Sequence, residues 1–476
     1  MNVLFPPRDQ RLIWSHRLTA LLDAAEQRVT AVPIAPRFDP AAHATELASF
    51  DFKTPIPFDE VLAWTVAQLE QGVTHVTHPR YLGLYNPQPS FPAQCADRIA
   101  ASFNPQLASQ TTSPAAVAIE AHVIKTLARR AGLPLAAAGH FTSGGSEANG
   151  AALLCALTRA EPGFTAHGAR AFKGDPTFYV SRDCHLAWVK LAHMAGIGRE
   201  AVRFVPTDGT GRMDLAALDV ALLTDRSNGR VPVMIVATAG TTNAGMIDPL
   251  PECAAIARRA GLWYHVDAAW GGGALASDRL CGRLAGIAEA DSITIDAHKW
   301  FAATMGAGMF LTAHPDALAS TFNVAAGFMP SQAASADPYM NSAQWSRRFI
   351  GLRLFLSLAT GGWAAHGAHV ERAVELAQRL ANRAREHGWR VVNDPALAVV
   401  CLEPPAGSAP VRAIVRRLLE TGGAWLSVAA FEGRDVVRAC ITNGETASAD
   451  IDAVVALLEA ARASSDRVAD RVALSA

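Results

Sequence analysis

The chain has 476 residues, 50% of them apolar and 18% charged, with 42 basic against 43 acidic side chains. That is enough apolar chain for a large core, which excludes intrinsic disorder as the main state, and the near-zero balance leaves no electrostatic footprint for nucleic acid or an anionic membrane. Seven cysteines with no CxxC pair argue against a disulfide framework or a thiolate zinc site and fit a reducing compartment.

The opening MNVLFPPRDQR lacks the order of a secretory signal, and no run reaches the roughly 18 apolar residues of a membrane span. A soluble, cytoplasmic protein is expected. The first 75 residues mix helical patches with proline-broken stretches such as Ala31–Pro40 and read as an extended arm. From about Pro114 to Ser320, short β-branched runs alternate with segments of helical period. The spacing predicts strands at Thr177–Ser181, Ala201–Pro206, Val231–Thr238, Leu262–Val266, Ser292–Asp296 and Gly308–Thr312. Helices are predicted at Ser146–Ala160, Asp214–Thr224 and Leu250–Ala260. This alternation implies an α/β fold with a mainly parallel sheet wrapped by helices, its functional groups at the carboxyl ends of strands. After Trp345 a long helix leads into mixed helix and strand signals, ending in a helix at Ser448–Ala463. The division expected is 1–85 as arm, 86–355 as large domain and 356–476 as a smaller α+β domain.

Three motifs carry chemistry. Tyr264-His265-Val266-Asp267 ends one apolar strand on a carboxylate, and a later strand ends in Asp296-Ala297-His298-Lys299. A buried carboxylate needs a cation or donor, and an amine in an apolar turn sheds its proton readily and can then bond to a carbonyl. Taken alone, each has a plainer explanation: a strand-end Asp capping a loop, and a Lys reaching for solvent. Phe141-Thr-Ser-Gly-Gly-Ser-Glu-Ala-Asn149 then opens a helix, where free backbone N–H groups and the positive end of the helix dipole make an anion cradle. By itself this is an ordinary glycine turn. Together, cradle, carboxylate and amine meet the needs of pyridoxal phosphate: a held phosphate, a protonated ring nitrogen and a lysine for the aldehyde.

With these residues the sequence resembles the group II pyridoxal-phosphate decarboxylases, the aromatic-L-amino-acid decarboxylase branch in particular. The likeness runs from HPRYLGLYNPQPSFPA at His78 through TTSPAAVAIE, FTSGGSEAN, ATAGTTNAGMIDP, HVDAAWGG and SITIDAHKWF to SRRFIGLRLFLSL. Asp267 and Lys299 stand 32 residues apart and Thr242 and Asp267 25 apart, which fits the family spacing.

The resemblance implies fold type I, as in aspartate aminotransferase, and a homodimer with the arm exchanged between subunits. Lys299 is implied as the Schiff-base lysine, Asp267 as partner of the ring nitrogen and His185 as the histidine stacked on the ring. Ala269 matches the small residue under the opposite face. Gly145, Ser146 and His298 match phosphate contacts, and Thr242 lies by the ring hydroxyl. Asp296 occupies the place of a neutral phosphate donor, where an ionised carboxylate would repel phosphate. Tyr339, eight residues before the pair Arg347-Arg348, matches the loop tyrosine that returns a proton to Cα. If Phe328 holds that place instead, no proton is available there, and the family's aldehyde synthases, which consume dioxygen, become the alternative. Tyr81, Tyr85, Asn86 and Phe328 are the implied substrate-pocket residues. Asn86, Ala108 and Gln110 stand where aromatic decarboxylases carry rings, so an acidic or diamino substrate is a further alternative to an aromatic one. Arg347, Arg348 and Arg438 are candidates for a carboxylate clamp. Rivals are an aminotransferase of the same fold, a silent homologue and, more weakly, a zinc hydrolase. The last is disfavoured because His185, His265 and His298 lack ligand spacing, so no metal is expected.

Overall fold

A computed structural model of the chain describes residues 3–324 and 337–474. Eleven strands form two sheets among the described residues. β1 (Ala138–Thr142), β2 (Pro176–Ser181), β3 (Val202–Val205), β4 (Val231–Thr238), β5 (Trp263–Asp267), β6 (Ser292–Asp296) and β7 (Gly308–Thr312) make the larger, in the order β1-β7-β6-β5-β4-β2-β3. Neighbours from β3 to β6 pair in parallel, and β7 alone runs against the rest. The near-continuous apolar run VPVMIVAT of β4 is what a strand covered on both faces requires.

Helices fill the crossovers. Asp214 caps the helix Leu215–Ser227 by accepting the N–H groups of Ala216 and Ala217, and Gly261, at φ 69°, ends Leu250–Ala260 in the left-handed conformation that a Cβ disfavours. The fold is the mainly parallel, helix-wrapped α/β sheet that the alternating pattern implied, and it is the fold type I that the resemblance implied. β1 escapes the sequence pattern because Ala-Gly-His-Phe-Thr has neither alternation nor β-branched density. It forms because Gly139 admits the Phe310 carbonyl, which a Cβ there would meet at 2.0 Å.

The second sheet, in the order β10-β11-β9-β8, is antiparallel: β8 (Arg390–Val391), β9 (Val399–Glu403), β10 (Ser427–Phe431) and β11 (Arg434–Cys440). The helices Val411–Glu420 and Ser448–Leu474 pack together beside it. The long helix Leu352–Glu386 is broken by non-helical backbone at Gly362. The proline-broken arm holds three helices, Arg8–Arg28, Pro40–Ala48 and Phe58–Gly72, none of which buries a residue within the chain. No helix among the described residues is long and apolar enough to cross a membrane.

Candidate active site

Parallel strands deliver their last residues to one edge of the sheet. There, Asp267 ends β5, Asp296 ends β6 with His298 and Lys299 just beyond, and the N-terminus of the helix Gly145–Ala160 follows β1. A cavity of about 340 Å³ opens at this edge. Gly145, Ser146, His185, Thr242, Asp267, Ala269, Asp296, His298, Lys299 and Tyr85 all line it, so residues scattered over more than 200 positions meet in one place.

The Asp267 carboxylate is buried but satisfied, since Oδ2 accepts from Asn149 Nδ2 at 2.8 Å and Oδ1 from the Ala269 N–H at 3.1 Å. Lys299 Nζ sits 3.1 Å from Asp296 Oδ2, so the turn is not the apolar one the sequence suggested: the amine is docked on a buried carboxylate. His298 Nε2 is 3.8 Å from the same oxygen, while Asp296 Oδ1 has no hydrogen-bond partner among the described residues. Gly144 caps the helix with no side-chain hydrogen bond. A Cβ on Gly145 would stand 2.9 Å from Asp296 Oδ2 and 3.3 Å from the Ala269 Cβ, so glycine keeps the cradle open. His185 is exposed at the mouth, its Nδ1 accepting the Ala187 N–H at 3.2 Å.

Aromatic rings form one wall. Tyr85 packs at 5.0 Å from Trp270, which stacks on Trp300 at 4.7 Å. Tyr85 donates to the Thr242 carbonyl at 2.8 Å, and burial pushes its hydroxyl pKa well above the ordinary value. Arg438, buried behind this wall, donates to the carbonyls of Thr242 and Gly83 at 2.5 and 2.9 Å and to Ser427 Oγ at 2.9 Å. It thus ties the 242 turn to β10 and β11. Arg347 is taken up by Glu120 at 2.7 Å and Arg348 by Asp97 at 3.0 Å, which leaves neither pointing at the cavity as a clamp.

Tyr81 and Asn86 hydrogen-bond to each other at 3.3 Å and are not among the cavity's lining residues. Nor is Tyr339. It lies buried in the 3-10 turn Pro338–Met340, 4.8 Å from the Trp345 ring, with its N–H on the Ala108 carbonyl at 3.1 Å. Asp337 beside it accepts the Gln110 N–H at 2.8 Å. Phe328 lies outside the described residues. Sequence reasoning passed over Asn149 and Trp270, although both belong to quoted motifs. The signal for Asn149 was a polar side chain entering a helix otherwise covered by alanine and leucine.

A cleft holding an open anion cradle, a buried carboxylate fixed by two donors and an amine at a strand end fits pyridoxal phosphate, group by group. The class so defined is the fold-type-I pyridoxal-phosphate enzymes. Residues 49–403 match the model of the pyridoxal-dependent decarboxylase conserved domain, and the chain belongs to that family. It is a carboxy-lyase that uses pyridoxal phosphate and acts on an amino acid. It is 27% identical over 405 residues to the aromatic-L-amino-acid decarboxylase of Bacillus atrophaeus, covering 82% of this chain and 83% of that one. To the L-2,4-diaminobutyrate decarboxylase of Rhizobium meliloti it is 36% identical over 290 residues, 60% of this chain and 57% of the relative. The structure of Oryza sativa TDC with PLP and tryptamine superposes with a TM-score of 0.90 at 24% identity, covering 97% of this chain and 99% of the other.

Proposed function

We propose that this enzyme decarboxylates an aromatic L-amino acid to the amine and carbon dioxide. The observation that carries the reading is the convergence of Lys299, Asp267 and the Gly145 cradle on one cavity. When bound, pyridoxal phosphate supplies the electron sink that accepts the pair left by the departing carboxylate. Lys299 would hold the aldehyde, and Asp267 would keep the ring nitrogen protonated by charge pairing. Gly145, Ser146 and His298 would hold the phosphate, and Thr242 would lie by the ring hydroxyl. Ala269 would leave room under one ring face, while His185 would cover the other and meet the substrate carboxylate. Asp296 serves Lys299: its carboxylate receives the ammonium whenever the amine is free, as the 3.1 Å contact supports. Tyr85 and Trp270 offer ring faces to an aromatic side chain, in keeping with the aromatic-L-amino-acid relative. Tyr81 and Asn86, hydrogen-bonded to each other, belong to the substrate pocket in this reading, and the Tyr339 hydroxyl would supply the proton to Cα.

A second reading is favoured by the packing of Tyr339 against Trp345, outside the cavity. If Phe328 takes the donor position, proton delivery worth about 10²- to 10⁴-fold is absent. Dioxygen and water then react in place of the proton, and the products are aldehyde, ammonia, carbon dioxide and peroxide. Incubating the pure enzyme with a panel of aromatic, acidic and diamino acids, and assaying carbon dioxide, amine and peroxide in parallel, tests both. Amine without peroxide from an aromatic substrate supports the first reading; peroxide equal to the carbon dioxide overturns it for the second. Turnover of only acidic or diamino acids overturns the substrate assignment.

The functional unit in this reading is a homodimer in which residues 1–85 pack on the partner, 86–355 hold the coenzyme and 356–476 form the small domain. The unburied arm helices support it, with Ile13 60% and Leu69 57% exposed in the single chain. A cytoplasmic setting accords with seven free cysteines.

A further inference from the structure

Beneath the cavity, a buried chain of side chains ends on Asp267. Trp263 Nε1 donates to Ser292 Oγ at 2.8 Å, and the same oxygen lies 2.8 Å from His265 Nδ1. His265 Nε2 lies 3.1 Å from Asn149 Oδ1, and Asn149 Nδ2 donates to Asp267 Oδ2 at 2.8 Å. None of the five is more than 4% exposed. Strand geometry explains the alignment: Trp263, His265 and Asp267 alternate along β5 on one face, and Ser292 opens β6 in register with His265. Asn149 reaches in from the helix Gly145–Ala160.

Both ends have fixed polarity, because an indole N–H only donates and an ionised carboxylate only accepts. Asn149 must therefore turn its N–H₂ to the carboxylate, which leaves its Oδ1, an acceptor only, facing His265 Nε2, while the Ser292 hydroxyl, with one donor and two lone pairs, follows the ring. Ser292 accepts from Trp263 and gives its hydroxyl proton to His265 Nδ1. His265 then carries its proton on Nε2 and gives it to Asn149 Oδ1, with Thr294 Oγ1 nearby at 3.4 Å. Asn149 is left with its N–H₂ on the carboxylate. The other tautomer would set the Nε2 lone pair against Asn149 Oδ1, and flipping the amide to relieve this would turn Oδ1 onto Asp267.

We propose that this one-way chain locks His265 as the neutral Nε2–H tautomer, and that His265 and Asn149 are thereby positioning residues that keep Asp267 ionised. The proposal rests on Asp267 being the partner of the ring nitrogen. The ring is packed by the Trp188 edge at 5.7 Å, and burial lowers its pKa to about 4 against the opposing pull of Asp267 and the Ser292 main chain. It is therefore neutral throughout the working range.

The test is nitrogen NMR of coenzyme-free protein labelled with ¹⁵N at histidine, the His265 signals being assigned by their loss in His265→Gln. The expected spectrum has a protonated Nε2 and a bare Nδ1, unchanged from pH 5.5 to 8. Asn149→Ala, which removes the acceptor at Nε2, and, independently, Asp267→Ala, which frees the Asn149 amide to flip, should each admit the Nδ1–H form while keeping the wild-type circular dichroism. Asn149→Ala and His265→Leu should weaken pyridoxal phosphate binding at least tenfold, although His265 does not line the cavity. A protonated Nδ1 in the wild type, titration near pH 6.5, or an unchanged tautomer in whichever of Asn149→Ala and Asp267→Ala folds would overturn the proposal. If instead the tautomer is as expected but Asp267→Asn leaves coenzyme binding and its visible spectrum unchanged, the fault lies with the role given to Asp267.

Discussion

At the residue scale, the chemistry depends on a few charged groups kept in place by donors rather than by exposure. Asp267 has two donors and Lys299 one acceptor, and each lies at a strand end. Asp267→Asn keeps the shape and removes the charge proposed to hold the ring nitrogen protonated. Removing one preorganised electrostatic group typically costs about 10² to 10³ in kcat, so a loss of that size with KM little changed is the expected outcome in steady-state assays. A loss under tenfold would deny Asp267 that role. These two residues were legible because a charged side chain at the end of an apolar strand stands out in one dimension. Asn149 was not, since its role exists only where a helix crosses β5, 118 residues further along the chain. Arg347 was equally opaque, because its partner Glu120 is 227 residues away.

At the element scale, the glycine turn after the edge strand β1 and the ends of β5 and β6 set the cradle. Gly145→Val would push methyl groups into Asp296 and Ala269, the contacts a Cβ already reaches at 2.9 and 3.3 Å. The coenzyme dissociation constant, read by fluorescence quenching, should rise at least tenfold with the urea midpoint nearly unchanged. Gly139→Ala acts on the fold instead: its Cβ falls 2.0 Å from the Phe310 carbonyl, so β1 must shift away from β7. Overpacking of this kind costs about 1–3 kcal/mol, measurable by urea unfolding. The helices and strands from β2 to β7 could be read from periodicity because burial on both faces produces unbroken apolar runs. β1 and the arm helices could not, since the former is pinned by one backbone approach and the latter bury nothing in their own chain.

For the whole molecule, buried titrating groups set the response to acid. Burial lowers the pKa of His140 to about 3 and that of His369 to about 4, against 6.5 for a free histidine. The unfolded chain takes up those protons first, so below pH 6.5 stability is lost as pH falls, by at most about 1.4 kcal/mol per unit for each group. Asp248, raised by burial to about 7, works in the opposite sense: the folded chain binds its proton first, and this group adds stability as pH falls from 7 to 4. Urea midpoints compared between pH 7 and pH 5 should therefore drop less in His140→Leu than in the wild type and drop more in Asp248→Asn. Equal shifts in all three proteins would contradict this balance. The exposed arm makes a further claim at this scale: light scattering should give twice the 50.3 kDa chain mass.

The chain has five lysines, and Lys53, Lys125, Lys173 and Lys190 are exposed while Lys299 lines the cavity. Borohydride reduction of the protein loaded with pyridoxal phosphate, followed by digestion and mass mapping, fixes the point of attachment. One pyridoxyl group per chain on the peptide carrying Lys299 is the result this account predicts. A label on any of the other four lysines in its place, or none at all, would contradict it.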